Sequence, residues 1–471
     1  MQQFDVIVIG AGPAGYVCAI RCAQLGFQVA CIDKWVNAKG KPTLGGTCLN
    51  VGCIPSKALL DSTHHVHFLR EQAAQHGLKI SGLEVDIPTM QKRKDKVVQI
   101  LTRGVASLLK KNKVEVFAGS ARLGGEQRVH VDQHDGSTVE MQGRHIVIAS
   151  GSQPTSIPDV GIDNENILDS TGALGLQEAP ERLGIIGAGV IGLEMGSVWQ
   201  RLGSEVIILE ALPDFLPAAD QTVSKEAMKL LAKQGLDIRM NCRVQEVQAS
   251  TGKVSVTYHL NGAEQRLEVN KLIVAVGRMA NTEGLGLDGV HVATDQKGFI
   301  KVDAHWRTSS EGIYAIGDVA GGAMLAHKGS EEGMALAEHL ADQYAHVNYD
   351  AIPWVIYTWP EIAWVGQTEQ QCKASGISYR TGEFPFRALG RAHAMDDTAG
   401  LFKIVCDKES DRILGAHILG PSASELICEA VVAIESELCA EDLARMVHAH
   451  PSLAEGMHEA ALAADQRAIH F

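Results

Sequence analysis

Short, continuous apolar runs that stop at glycine dominate the hydrophobic pattern. Val6-Ile7-Val8-Ile9, entered from Asp5, has the unbroken apolar character of a parallel strand buried on both faces. It leads into Gly10-Ala11-Gly12-Pro13-Ala14-Gly15, then a helical pattern from Tyr16 to Leu25 that stops at Gly26. A second strand, Gln28-Val29-Ala30-Cys31-Ile32, ends at Asp33. Strand, Gly-x-Gly-x-x-Gly, helix, strand and acid follow one another as in a dinucleotide-binding βαβ unit. Gly10, Gly12 and Gly15 let the backbone close on a pyrophosphate at the helix N-terminus. Asp33, 23 residues after Gly10, can accept hydrogen bonds from ribose hydroxyls.

The pattern recurs once. The strand Leu183-Gly184-Ile185-Ile186 runs into Gly187-Ala188-Gly189-Val190-Ile191-Gly192, then a helix to Leu202 with Gly203 as its cap. The strand Glu205-Val206-Ile207-Ile208-Leu209 then ends at Glu210, again 23 residues after Gly187. A binding module has little use for two such units, whereas an oxidoreductase passing electrons between FAD and a nicotinamide does. Each unit is followed later by an apolar strand stopping at glycine, at Gly151 and at Gly277. A third such strand ends at Gly317-Asp318. Asp318 falls where ligands bind in open α/β sheets, though an acid there could equally cap a helix.

With 471 residues, roughly 150 per domain suggests about three domains. An apolar content of 45% and a charged content of 21% exclude a disordered or collagen-like chain. No uncharged apolar run approaches the roughly 18 residues of a membrane span. A net charge of −14 argues against a nucleic-acid partner. The basic clusters Lys92-Arg93-Lys94 and Lys110-Lys111-Asn112-Lys113 read as solvated helix faces. A strand directly after the initiator Met, with no secretory leader, points to the cytoplasm, where most of the ten cysteines would stay reduced.

Two of those cysteines stand apart, in Gly45-Gly46-Thr47-Cys48-Leu49-Asn50-Val51-Gly52-Cys53-Ile54-Pro55-Ser56-Lys57. On a regular helix, residues five apart lie about 140° around the axis, too far for a bridge whose Cα atoms must come within ~7 Å. Bridging Cys48 and Cys53 needs a distorted turn, which Gly52 permits, and a strained bridge is easily reduced, as a catalytic one should be. Cys18 and Cys22 read as small core residues, and no role is assigned to the other cysteines. His64, His65 and His67 lack a plausible set of metal ligands, so no metal is expected. Near the C-terminus, His450 precedes a proline turn with Glu455 five residues on. That carboxylate could fix the imidazole tautomer and raise its basicity, giving the general base that thiol–disulfide exchange needs.

Taken jointly, these motifs resemble those of the pyridine nucleotide–disulfide oxidoreductases. Met324-Leu325-Ala326-His327-Lys328, Tyr357-Thr358-Trp359-Pro360-Glu361 and the segment from Gly187 to Glu194 extend the resemblance over essentially the whole chain. Ser150, where the family more often has Thr, is a mild departure. The resemblance implies an α/β fold with two Rossmann-like domains. These would be an FAD-binding domain with the redox disulfide over 1–150 and an NAD-binding domain over 151–280. A central region over 281–350 would complete the FAD site, and a C-terminal α+β dimerisation domain would span 351–471. It implies one tightly but non-covalently held FAD per subunit, with NAD⁺/NADH as co-substrate. The implied cofactor contacts are the glycine turns and acids already named, with Lys57, Gly151, Glu194, Gly277, Asp318 and Ala326. Lys57 is implied to pair with Glu194 beside the flavin. A homodimer is implied, with His450 of one subunit facing Cys48 and Cys53 of the other. The implied substrate is a lipoyl arm, carried by the acyltransferase core of a 2-oxoacid dehydrogenase complex or by a glycine cleavage carrier protein. Relatives that reduce glutathione, trypanothione or mercuric ion usually take NADPH. A mercuric reductase would also carry a C-terminal cysteine pair, and none follows Cys439.

Glu210 can hydrogen-bond a ribose 2′-hydroxyl but repels a 2′-phosphate, and Ala211-Leu212-Pro213-Asp214 offers no arginine to attract one. Steady-state kinetics should therefore show a strong preference for NAD⁺. Equal kcat/KM for NADP⁺ would contradict the reading.

Overall fold

The computed structural model describes residues 1–158 and 160–471. They form two compact units. The first joins Met1–Ala58, Thr89–Thr155 and Gly277–Val347, and the second joins Leu59–Pro88, Ser156–Val276 and Asn348–Phe471.

In the first unit, five strands lie side by side: Glu115–Gly124, Val29–Asp33, Gln2–Ile9, Thr138–Ile148 and Ile313–Ala315, each parallel to its neighbour. The strand Arg128–Gln133 joins the outer parts of Glu115–Gly124 and Thr138–Ile148 in an antiparallel meander. Alternate side chains enter different cores, as a period of two requires. Val6, Val8, Cys31 and Val147 pack on one face with Ala14, Cys18 and Leu336. Ile7, Ile9, Ile32, Ile146 and Ile148 pack on the other with Leu285, Val292 and Ile300. Both faces are covered, which explains the unbroken apolar runs.

The helix after the first glycine turn, Pro13–Gln24, lies against Ala326–Leu340. The two backbones can approach because the second helix presents glycine. A Cβ at Gly333 would stand 2.5 Å from the Ala14 carbonyl oxygen and 3.0 Å from the Cys18 amide nitrogen. Cys18 and Cys22 are buried in this contact with their sulfurs 4.0 Å apart.

The second unit repeats the parallel arrangement. Leu236–Arg239, Glu205–Leu209, Arg182–Ile186, Lys271–Val274 and Ile167–Leu168 form one sheet in that order. A separate antiparallel sheet holds Cys242–Ser250, Lys253–Leu260 and Ala263–Val269. The C-terminal part is a five-stranded antiparallel sheet in the order Trp354–Ile356, Glu361–Gly366, Ile413–Gly420, Leu401–Asp407, Tyr379–Pro385. Helices Ala423–Glu435 and Glu455–Ala464 pack on it around Phe384, Phe402, Ile404 and Ile418.

One buried ion pair fastens this sheet to the parallel region of the same unit. Lys403 Nζ lies 2.9 Å from Asp220, both about 1% exposed, and also reaches Thr222 and Glu369. Asp220 caps helix Gln221–Lys233 at the Thr222 amide. A second charge departs from the sequence reading. The first basic cluster is not wholly solvated, because Lys94 is buried on helix Ile87–Lys111 beside Asp95, 3.3 Å away. The helix turns that position inward with Gln91 and Thr102.

Replacing Lys403 with Met would leave Asp220 buried without its cation, a loss of ~3–5 kcal/mol for a buried pair broken on one side. Denaturant unfolding should show it, and pairing the change with Asp220→Asn should restore part. A loss below ~1 kcal/mol would mean that the pair is solvated like a surface one.

Candidate active site

The two glycine turns are built alike. In the first unit, Asp33 accepts the Ala11 amide at 2.6 Å through one oxygen and the Trp35 amide at 2.7 Å through the other. In the second, Glu210 accepts the Ala188 amide at 2.7 Å and the Leu212 amide at 2.9 Å. Each acid is thus tied back to the residue after the first glycine of its turn, and its remaining lone pairs can receive ribose hydroxyls. Burial pushes the Asp33 carboxyl above its usual value, against the pull of the two amides.

The glycines leave the space a dinucleotide requires. A Cβ at Gly10 would lie 2.2 Å from the Ala149 carbonyl oxygen, and one at Gly15 would lie 1.9 Å from that of Gly10. Gly187 and Gly192 are crowded in the same way, by the Ala275 and Gly187 carbonyls at 2.4 and 2.0 Å. A Cβ at Gly189, by contrast, would meet nothing within 4 Å, so a pyrophosphate can approach that backbone. Gly12 and Gly189 cap helices Pro13–Gln24 and Val190–Arg201 without offering a side-chain acceptor, which suits an anion there.

Gly151 and Gly277 both take positive φ and lead into the short antiparallel pair Ser152–Pro154 and Arg278–Ala280. Ser150 donates its hydroxyl to the Asn281 carbonyl at 2.7 Å. Asp318 lies in the turn Gly317–Ala320 and accepts the Ser152 hydroxyl, while Arg278 Nε donates to the same Ser152 oxygen at 2.7 Å. Ala326 opens helix Ala326–Leu340. The turn is braced from below by two charges that sequence reasoning missed. Glu332 accepts the Gly317 amide at 2.7 Å, and Lys328, 3.0 Å from Glu332, donates to the Gly321 carbonyl at 2.7 Å. Their four-residue spacing was visible, but it equally describes an exposed helix pair.

Helix Gly46–Val51 carries Cys48, and helix Cys53–His67 begins with Cys53 and carries Lys57. Gly52 ends the first helix, with φ −131° and ψ −117°, so the cysteines do not share one helical repeat. A Cβ at Gly52 would sit 3.1 Å from the Cys48 Cα. The segment is fastened to the first nucleotide turn. The Gly45 amide donates to the Ala11 carbonyl at 2.9 Å, and a Cβ at Gly46 would lie 2.6 Å from the Gly12 Cα. Both cysteines are thiols here. A hydrogen bond shared with Cys53, then burial, holds the Cys48 proton well above the usual thiol range, while Lys57 pulls the other way.

In the second unit, Glu194 is buried on helix Val190–Arg201 and accepts the Tyr357 amide at 3.0 Å, a contact that no sequence signal foretold. His450 Nδ1 lies 2.7 Å from Glu455, whose other oxygen accepts the Ser452 amide at 2.8 Å. Burial pushes the Glu455 carboxyl up, but the Ser452 amide and His450 outweigh it and bring it below its usual value. The His450 side chain is 78% exposed, and Glu455 fixes the tautomer that leaves Nε2 as proton acceptor. Neighbouring His448 is engaged at both ring nitrogens, by the Met446 carbonyl and Glu429. His64 packs against Trp359, with ring centres 4.2 Å apart and planes tilted by 41°. Among the described residues no three His, Cys, Asp or Glu side chains group as a metal site, and no helix is long and apolar enough to cross a membrane.

The pyridine nucleotide-disulphide oxidoreductase profile matches residues 4–333, and the dimerisation domain of the same family matches 352–461. The chain belongs to the pyridine nucleotide-disulphide oxidoreductase family and is an oxidoreductase with a C-terminal dimerisation domain. Over all of both chains it is 49% identical to dihydrolipoyl dehydrogenase of Cupriavidus necator. It is 47% identical to the mitochondrial dihydrolipoyl dehydrogenase of Pisum sativum, with 100% of this chain and 93% of the other covered. Among solved structures, LpdA of Mycobacterium tuberculosis superposes with a TM-score of 0.90 at 27% identity, covering 98% of this chain and 99% of that one. FAD and NAD⁺, the cofactors of the dihydrolipoyl dehydrogenases, fit the two glycine turns described above.

The resemblance implies that Cys48 is the outer thiol, which meets the substrate, and Cys53 the inner one. Cys48→Ser should retain a long-wavelength thiolate band in the flavin-loaded protein yet lose turnover, and Cys53→Ser should lose both. As the thiol open to incoming substrate, Cys48 should be modified first by iodoacetamide in the reduced enzyme, and prior modification of Cys53 would reverse the assignment.

Proposed function

We propose that the chain acts as a dihydrolipoyl dehydrogenase, oxidising dihydrolipoyl groups with reduction of NAD⁺. One observation carries the reading. An exposed imidazole, held by Glu455 at 2.7 Å in the tautomer of a base, accompanies a hydrogen-bonded cysteine pair set across the break at Gly52. The near-half identity to dihydrolipoyl dehydrogenases over the full chain supports it.

His450 Nε2 takes the proton of one substrate thiol. The resulting thiolate attacks Cys48 Sγ in the oxidised pair, so that the Cys48–Cys53 bond breaks and Cys53 leaves as a thiolate. The second substrate thiol, deprotonated in turn, attacks the substrate sulfur joined to Cys48. The substrate disulfide closes, and Cys48 leaves and takes up a proton, in keeping with its raised pKa. Bound FAD would supply the remaining chemistry, accepting the electron pair of the dithiol and passing it as hydride to NAD⁺. The residues that would hold it are Gly10, Gly12, Gly15, Asp33, Gly151, Asp318 and Ala326, with Lys57 and Glu194 as the further contacts the resemblance implies. Gly187, Gly189, Gly192, Glu210 and Gly277 would hold the nicotinamide dinucleotide.

The active unit is a homodimer in which His450 of one subunit serves Cys48 and Cys53 of the other. The dimerisation domain and the outward exposure of His450 favour this arrangement. The substrate arm belongs to the acyltransferase core of a 2-oxoacid dehydrogenase complex or to a glycine cleavage carrier. The eight further thiols, most of them buried, suit the reducing cytoplasm.

Mixing His450→Ala with Cys48→Ser subunits tests the shared site. Removing a general base typically costs ~10²–10⁴ in rate, so each parent should be nearly inactive with dihydrolipoamide. NADH oxidase activity of His450→Ala should persist. After exchange, half of the dimers hold one intact site of two, so activity should return to about a quarter of wild type, given a site that needs base and nucleophile within reach. No recovery after verified exchange would place His450 and Cys48 in one subunit's site.

A further inference from the structure

The basic clusters that the sequence analysis set aside lie on one element. Helix Ile87–Lys111 and the two residues after it carry eight lysines and arginines against the single acid Asp95, in a chain of net charge −14. Gln91, Lys94, Thr102, Val105 and Leu109 form its buried face. At 100° per residue, Lys92, Lys96, Arg103 and Lys110 fall within about 40° of one another, pointing away from that face, and all four are exposed. Ile100 adjoins the stripe and is 59% exposed. The helix is also anchored to the redox segment, for Arg93 donates to the Ala58 carbonyl at 3.1 Å, on the helix that begins at Cys53.

We propose that this stripe docks the protein domain that presents the dithiol, and that the domain is acidic where it meets the helix. The argument is charge complementarity joined to position. An acidic partner is repelled by the excess of carboxylates over the rest of the chain and attracted to this helix, whose N-terminal part is bonded to the helix that begins at Cys53. Such a field raises encounter rates by ~10–10³ and fades with ionic strength. Ile100 supplies an apolar contact that long-range attraction alone lacks. The proposal rests on the dihydrolipoyl dehydrogenase reading and adds the surface by which a protein-borne substrate is told from a free one.

The test compares two substrates in the FAD-loaded full-length enzyme. One is free dihydrolipoamide, which is uncharged. The other is an isolated dihydrolipoylated acyltransferase domain of net negative charge. The variant is Lys92→Glu/Lys96→Glu/Arg103→Glu, which spares Arg93 and buried Lys94. The kcat/KM for the acidic domain should fall about tenfold or more, while that for free dihydrolipoamide stays at the wild-type value. The wild-type rate on the domain should decline with added salt, and the variant should lose that decline. Unchanged kcat/KM for the domain overturns the proposal, as does an equal fall for both substrates. A changed oligomeric state with unaltered kinetics on the domain overturns it in favour of a second copy of the chain. Wild-type enzyme that fails to oxidise free dihydrolipoamide overturns the functional reading itself, and the docking proposal with it.

Discussion

The Gly46 backbone stands so close to Gly12 that a Cβ would lie 2.6 Å from the neighbouring Cα, and much of the site follows from that approach. It sets the helix bearing Cys48 directly against the first glycine turn. The Gly45 amide bonded to Ala11 reinforces the placement. Any side chain at 46 would push the thiols away from the nucleotide, whatever its chemistry. Asp33, holding the Ala11 amide from the other side, stiffens the turn against which the redox segment rests.

Gly52 then decides how the two thiols differ. It ends one helix and lets Cys53 begin the next, bringing the side chains into hydrogen-bond contact that an unbroken helix would deny them. Once they share a hydrogen bond, one sulfur retains the proton and the other becomes the stronger electron donor. That contact allows the labour to be divided between an interchange thiol and a donor thiol. A base is still needed to activate the incoming substrate thiol, and His450, oriented by Glu455 and open to solvent, can serve one that arrives from outside.

What the sequence made legible were features whose physics is local. Glycines at fixed offsets, apolar runs and an acid 23 residues on located both nucleotide turns, because each is a backbone requirement read along the chain. Cys48, Cys53, His450 and Glu455 could likewise be picked out along the chain, and the structure sets His450 against Glu455. The charges that brace the site were not. Lys328 and Glu332 look like an exposed helix pair until Gly317 is folded over them. Lys403 sits in the apolar strand Leu401–Asp407, yet the sequence does not say that Asp220, far away in the chain, meets it there. Glu194 could be named from the resemblance, but its bond to the Tyr357 amide joins two distant parts of the chain. Burial of a charge depends on partners brought by tertiary structure, so composition and spacing carry little trace of it.

The central claim is that an oriented imidazole and a paired thiol couple a dithiol to NAD⁺. It is tested most directly by steady-state turnover of the FAD-loaded enzyme with dihydrolipoamide and NAD⁺, set beside glutathione disulfide and mercuric ion with NADH and NADPH. Rapid oxidation of dihydrolipoamide by NAD⁺, with little turnover of the other pairs, is the expected result. Faster reduction of glutathione disulfide or mercuric ion by NADPH would contradict it.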